Sequence, residues 1–414
     1  MKNFLRKIKE SSLQFPVASL DVRKKVLKGL AKILEEKSAE ILAANQKDLK
    51  KMSSDDPLYD RLLLTPERIK EIAAACIAIS EQEDVLNKIL EERKLDSGLF
   101  LKKTTVPMGV IACIYEARPN VTVDIAALAI FTGNFAILKG SKSAENSNQA
   151  IINCIQEVLV QNKMPVDFIS KYSVERKDLK ILLEASEYVD LLIPRGGQGL
   201  IDRVRQESLI PTIETGAGVC HTFVDENADL DQAIKIIVNA KTQRPSVCNA
   251  LDCLIVHEKI PADFFEKLST ELEELQVKIH ADAVSFAKFP KKDFINLIQD
   301  ADKDFFGKEF LGLEMSVKTV SSIKEAIFHI NTFGSKHSEA ILSANKNNIQ
   351  KFFELIDASS VYANASTRFT DGAYFGLGAE VGISTQKLHA RGPMGATALT
   401  TYKYLIEGQG EIRN

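Results

Sequence analysis

From about residue 106 the chain alternates short apolar runs with stretches of helical period, and this alternation constrains the fold more than any other feature. Residues 109–115 (GVIACIY) form a continuous apolar run. A strand apolar on both faces needs cover on both, as in a parallel sheet packed between helices. Residues 121–131 then read as helix, 135–138 as strand, 144–160 as helix, 189–193 as strand and 199–206 as helix, with further strands at 210–213 and 222–224. A second set follows the same rule: a helix marked by Ala233, Ile236, Ile237 and Ala240, strand 251–256, helix 262–275, strand 316–320, helix 323–330 and strand 360–364. Two open α/β sheets with helices on both faces are the expectation.

The ends differ. Before about residue 94 the pattern is helical, with Val26, Leu27, Leu30, Ile33 and Leu34 on one face. Asp55-Asp56-Pro57 breaks it, and Thr65-Pro66-Glu67 restarts it with a cap and a proline at the first helical position. Residues 400–406 are β-prone, with two tyrosines, and read as an exposed strand that needs a pairing partner.

A chain of 414 residues exceeds one ordinary core, so two or three domains are expected. The formal charge of −3 argues against a nucleic-acid binder or a polybasic membrane binder. No window approaches the ~18 apolar residues of a membrane span. The basic start lacks the unbroken apolar core of a signal peptide. The six cysteines, at positions 76, 113, 154, 220, 248 and 253, show no C-x-x-C pair and no metal-ligand spacing, so no metal is expected. A reducing, cytoplasmic setting fits.

No P-loop is present, and no G-x-G-x-x-G opens a helix after the first strand. Gly196, Gly197 and Gly199 lie between a strand and a helix, either as a tight turn or as amides facing a pyrophosphate. Lys139 ends a strand at the edge where open α/β sheets bind ligands; it is either solvated or holds a ribose or phosphate. Cys248 sits in a polar loop four residues after Arg244, a cation that favours the thiolate. Cys76, Cys113 and Cys154 lie in apolar runs and read as packing residues. Glu214, at a strand end before Thr215-Gly216, is either a general base or a turn residue. Arg118, Arg244, Arg368 and Arg391 lie in glycine- or proline-marked loops and would suit a small polyanionic substrate.

Three segments carry a resemblance. Val106-Pro107-Met108-Gly109-Val110-Ile111 with Tyr115-Glu116-Ala117-Arg118-Pro119-Asn120-Val121-Thr122, the run 240–250 (AKTQRPSVCNA) and the long run 364–402 are similar to gamma-glutamyl phosphate reductases (glutamate-5-semialdehyde dehydrogenases), of the aldehyde dehydrogenase superfamily. Residues 42–49 (LAANQKDL) and 60–64 (DRLLL) match as well. The resemblance implies Cys248 as nucleophile, Asn120 as a donor to the oxyanion and Glu214 at the position of the general base of many aldehyde dehydrogenases. It implies Lys139, Ser141, Arg195, Gly196, Gly197 and Glu309 as cofactor contacts. The strand end reads Leu138-Lys139-Gly140-Ser141 where the family more often has Leu-Arg-Gly-Gly, which keeps the positive charge. Arg118, Arg244 and Arg368 become the candidates for substrate anions.

The implied reaction is reduction of L-glutamyl 5-phosphate by NADPH to L-glutamate 5-semialdehyde and phosphate, through a Cys248 thioacyl enzyme, in proline biosynthesis. The implied fold has two doubly wound α/β domains and a small β oligomerisation element: 1–94 and 107–216 with 385–399 as an NADP-binding, Rossmann-like domain, 217–384 as the catalytic domain, and 95–106 with 400–414 as oligomerisation strands. A homo-oligomer, and contact with the upstream glutamate kinase, are the protein partners it suggests. Three other readings are a non-phosphorylating aldehyde dehydrogenase, a cysteine hydrolase or acyltransferase pairing Cys248 with His221 or His257 and needing no nicotinamide, and a catalytically silent binding or scaffold protein, which the presence of Cys248, Asn120 and the cofactor-side residues disfavours.

Overall fold

Burial alternates along the chain as two covered sheets require, and each sheet belongs to its own compact unit. The structure is a computed structural model describing residues 1–53, 56, 59–173, 178–290 and 296–413; of the proposed helix break, Asp55 and Pro57 lie outside the described residues. The first unit comprises Met1–Thr215, Gly376–Gly382 and Pro393–Asn414, and the second Gly216–Phe375 and Ile383–Gly392. The chain thus returns to the first unit in two pieces, where the sequence suggested one return at 385–399 followed by a separate strand.

The first unit opens with helices, among them Leu20–Glu36 and Pro66–Glu81. The latter begins as expected: Thr65 caps it, its hydroxyl accepting from the Arg68 amide, and Pro66 fills the first turn where no amide is needed. Strands β1 (Ile89–Lys94) and β2 (Phe100–Pro107) form an antiparallel ribbon, and the final strand Thr400–Glu407 pairs along the free edge of β2. Strands β3 (Val110–Tyr115), β4 (Phe135–Lys139), β5 (Ile169–Lys171) and β6 (Leu191–Arg195) form a parallel sheet in the order β5-β4-β3-β6. β3 is buried at every position, as its unbroken apolar run predicted. Helix Pro119–Thr132 is apolar nearly all round and buried nearly all round. It ends at Gly133, whose φ of 69° is the left-handed cap that a side chain resists.

The strand expected at 210–213 reduces to one bridge between Leu192 and Thr212. Pro211 explains this: it lacks the amide a ladder needs, and only its carbonyl is used, by the Leu192 amide.

The second unit is a seven-stranded parallel sheet: β7 (Cys220–Val224), β8 (Leu251–His257), β9 (Lys278–Ala281), β10 (Leu297–Ile298), β11 (Glu314–Val320), β12 (Ser338–Leu342) and β13 (Ser360–Ala363), in the order β10-β9-β11-β8-β7-β12-β13. β8 shows why it is doubly covered. Leu254 and Val256 join one core with Phe264, Phe265 and Leu268 of helix Ala262–Glu274, whereas Cys253 and Ile255 join another with Ala326 and Ile330 of helix Ile323–Phe333. The chain is α/β with parallel sheets, as its alternation requires.

Candidate active site

Cys248 lies in the loop between helix Leu230–Thr242 and β8, and it alone of the six cysteines is not buried. Desolvation pushes Cys76 above the thiol range and Cys113 up to about 12, so neither offers a thiolate. Cys248 sits at the amino end of β8 rather than the carboxyl end where open sheets usually bind ligands. Its loop is held on three sides. A Cβ at Gly218 would lie 1.5 Å from the Cys248 carbonyl oxygen, so only glycine lets the two backbones pass. Asn249 donates through Nδ2 to the Thr370 carbonyl at 2.8 Å, and its own carbonyl accepts from the Thr367 hydroxyl at 2.8 Å. Behind the loop, the buried Lys241 ammonium donates to Asp252 at 3.2 Å and to the Gly312 and Glu314 carbonyls at 3.1 and 2.8 Å. Burial pushes the Asp252 carboxyl up to about 7 against the pull of Lys241.

Two candidate arginines gather here. Burial lowers the pKa of Arg368; Asp371 and Cys248 pull it back up, and Arg244 adds to the lowering. Cys248, Arg244 and Arg368 therefore share one electrostatic neighbourhood. Arg368 is steadied by its Nε donating to Gln243 Oε1 at 3.1 Å, while Arg244 is exposed. Glu309 Oε1 accepts from the Gly218 amide at 3.0 Å, which ties that carboxylate to the strand lead-in packed on Cys248. Arg391 lies elsewhere in the unit: with Lys336 and Lys387 it surrounds Asp357, whose carboxyl these cations hold far below its usual range.

The first unit holds the other candidates. In the order β5-β4-β3-β6 the chain builds away from β3 on one side and returns on the other, so the switch point falls between β3 and β6. Ligands of open α/β sheets bind outside the carboxyl ends there. A cleft of about 570 Å³ lies at this edge, lined by Tyr115 at the end of β3 and Glu116 after it, Lys139 at the end of β4 and Ser141 after it, and Gly197 and Arg203 after β6. Lys142 also lines it, so three cations face one cleft. Glu116, Lys142 and Arg203 were not singled out from sequence, although Glu116 lies inside a family motif. The Gly197 amide, expected to face a pyrophosphate, donates instead to Glu116 Oε2 at 2.9 Å.

Arg195 and Gly196 are not among the lining residues. Arg195 packs beside Gly382 and Thr215, and its charge is felt by Asp124. Asp124 is the principal residue that sequence reasoning missed. Burial pushes its carboxyl up to about 7, and it accepts a 3.1 Å hydrogen bond from the Asn120 amide nitrogen one helical turn earlier. Arg118 caps the same helix. Glu214 forms a two-pronged ion pair with Arg205, with Oε1 and Oε2 at 3.0 and 3.1 Å from Nε.

The model of the aldehyde dehydrogenase family matches residues 5–287. The chain is 47% identical over 414 residues to the gamma-glutamyl phosphate reductase of Chlorobium limicola, covering all of this chain and 99% of the relative. It is 48% identical to that of Chlorobium luteolum, covering 99% of this chain and 97% of the relative. The crystal structure of gamma-glutamyl phosphate reductase from Thermotoga maritima superposes with a TM-score of 0.93 at 40% identity, covering all of this chain and 99% of the other. An acetylating aldehyde dehydrogenase from Geobacillus thermoglucosidasius, 16% identical with a TM-score of 0.71, shares the fold. The chain belongs to the aldehyde dehydrogenase family and, within it, to the gamma-glutamyl phosphate reductases.

Proposed function

We propose that this enzyme reduces L-glutamyl 5-phosphate to L-glutamate 5-semialdehyde with NADPH, releasing phosphate, as a step of proline biosynthesis. The observation that carries the chemistry is Cys248: the one unburied cysteine, on a loop fixed by backbone contacts, beside two arginines. Its thiolate attacks the acyl carbonyl, the C–S bond forms, and the C–O bond to phosphate breaks to leave a thioacyl enzyme. Arg244 and Arg368 stabilise the anions: the phosphate as it leaves and the substrate α-carboxylate. Arg368 is the better fork for the carboxylate because Gln243 already orients it. Arg118 is the alternative.

The first-unit cleft fits a phosphorylated dinucleotide. Lys139, Lys142 and Arg203 supply charge for phosphates, and the volume suits a nucleotide portion. Glu116 holds the Gly197 amide, so these cations, with Ser141, carry the phosphate contacts. When bound, NADPH supplies the hydride that converts the thioacyl to the aldehyde and frees the thiolate. For Asn120 as oxyanion donor and Glu309 as nicotinamide-ribose contact, the family motif is the support. The first unit is then the NADP domain and the second the catalytic one. The exposed strand Thr400–Glu407, with Tyr402, Tyr404, Leu405 and Ile406 open to solvent, is the surface for a homo-oligomer. No helix among the described residues is long and apolar enough to cross a membrane, in keeping with a cytoplasmic enzyme.

A nicotinamide absorbance assay with glutamate semialdehyde, NADP and phosphate tests this. Turnover should require phosphate. Phosphate-independent oxidation would replace the proposal with a non-phosphorylating dehydrogenase, and turnover without NADP(H) would replace it with a cysteine hydrolase.

A further inference from the structure

His221 on β7 and Cys253 on β8 are direct partners in the parallel ladder, so their side chains leave the same face of the sheet side by side. His329, on helix Ile323–Phe333, comes down over that face. One ligand atom from each residue lies within 4.8 Å of the other two. The three are buried, with His221 and Cys253 fully so. Cys253 Sγ and His329 Nε2 are 3.7 Å apart. Two ligands on a tetrahedral zinc, with Zn–S about 2.3 Å and Zn–N about 2.0 Å, stand about 3.5 Å apart, so this edge is already at ligand spacing.

The surrounding polar atoms supply the second observation. His221 Nδ1 lies 3.1 Å from Glu339 Oε2, the carboxylate contact that fixes the ring and leaves Nε2 as the ligating nitrogen of a metal-bound histidine. His221 Nε2 is buried beside the Cys253 sulfur, and Glu339 Oε1 is buried without a hydrogen bond. A buried carboxylate oxygen without a partner is costly. The charges also balance: a Cys253 thiolate and the Glu339 carboxylate together carry −2, which a divalent cation neutralises inside the core. No part of the proposed reaction uses these residues.

We propose that His221, Cys253 and His329 form a buried binding site for one borderline divalent transition-metal ion of the zinc class, stapling helix Ile323–Phe333 to the sheet of the second unit. Binding displaces the Cys253 thiol proton to solvent. The three protein donors leave the fourth position of a tetrahedral ion to a solvent ligand, and since burial leaves no path for substrate the role is structural.

The test is metal analysis of full-length protein expressed with added zinc and passed over a chelating resin, with cobalt as a spectroscopic probe. One zinc per chain is expected, together with a cobalt–thiolate charge-transfer band and a melting temperature that falls by several degrees when a strong chelator strips the metal. Cys253→Ser and His329→Gln should each lose the metal and the band. Cys248→Ser should keep both, which separates this site from adventitious binding at the exposed thiol. If the Cys253 and His329 variants do not fold, the wild-type and Cys248→Ser measurements decide. Metal-free wild-type protein, a melting temperature unmoved by zinc or chelator, or metal lost in Cys248→Ser would each overturn the site.

Discussion

The Cys248 loop of the second unit and the Gly197 turn of the first are both polar connections at a sheet edge, yet they are held in opposite ways. The Cys248 loop is clamped: Gly218 passes in contact with its backbone, Asn249 spans to Thr370, and Lys241 fixes the segment behind it. The Gly197 turn is exposed and is tied to Glu116 by one hydrogen bond. A nucleophile gains from a fixed position, because a displacement of about 1 Å can cost about a hundredfold in rate. A cofactor has to enter and leave, so its site gains from open charge instead. Changes at the clamp should therefore act on kcat, and changes at the open cleft on KM.

The largest effect belongs to the nucleophile itself. Cys248→Ala should lower kcat by at least about a thousandfold while the melting temperature stays near that of the parent. A rate within tenfold would move the chemistry to another group. Next comes the clamp. Gly218→Ala places a methyl where the Cys248 carbonyl stands, so the loop must shift. We expect a kcat loss of about a hundredfold and a destabilisation of about 1–3 kcal/mol, with KM for NADPH little changed. Denaturant melts and kinetics together read this, and a variant with unaltered kcat would show that the loop tolerates displacement. Arg368→Ala comes third: KM for glutamate semialdehyde should rise by about ten- to a hundredfold, the worth of one charge-assisted fork. If KM rises instead in Arg118→Ala, the carboxylate belongs to the first unit.

On the open side, Lys139→Ala should raise KM for NADPH about tenfold and leave kcat intact, because one cation among three is lost from the cleft. The rise should be smaller for NADH. Equal rises would mean that Lys139 meets a ribose or the shared pyrophosphate rather than the 2′-phosphate.

The same contrast explains what could be read from the sequence. The apolar runs of β3 and β8 announce themselves, because a doubly buried strand leaves no polar position. β12, with Ser338 and Glu339 buried inside it, carries no such signal: the Ser338 hydroxyl donates to Thr370, 32 residues on, and Glu339 Oε2 accepts from the His221 amide, 118 residues back. Residues 210–213 gave the signal of a strand without forming one, because apolar character says nothing of the amide Pro211 lacks. Cys248 was legible because its surroundings are polar and local. Gly218, Glu116 and Asp124 were not, since each matters through a neighbour that only the folded chain supplies: the Cys248 carbonyl, the Gly197 amide, the Asn120 side chain.

Glu214 gives the smallest effect and the sharpest discrimination. Both its carboxylate oxygens are engaged by Arg205, so the group is already paired inside the first unit. A thioacyl enzyme that is to be reduced is wasted if water takes it, and a strong base aimed at water would favour that loss. Glu214→Gln should therefore leave phosphate-dependent NADP reduction within about tenfold of the parent, with a modest loss of stability from the weakened pairing with Arg205. A collapse approaching that of Cys248→Ala would make Glu214 a base after all.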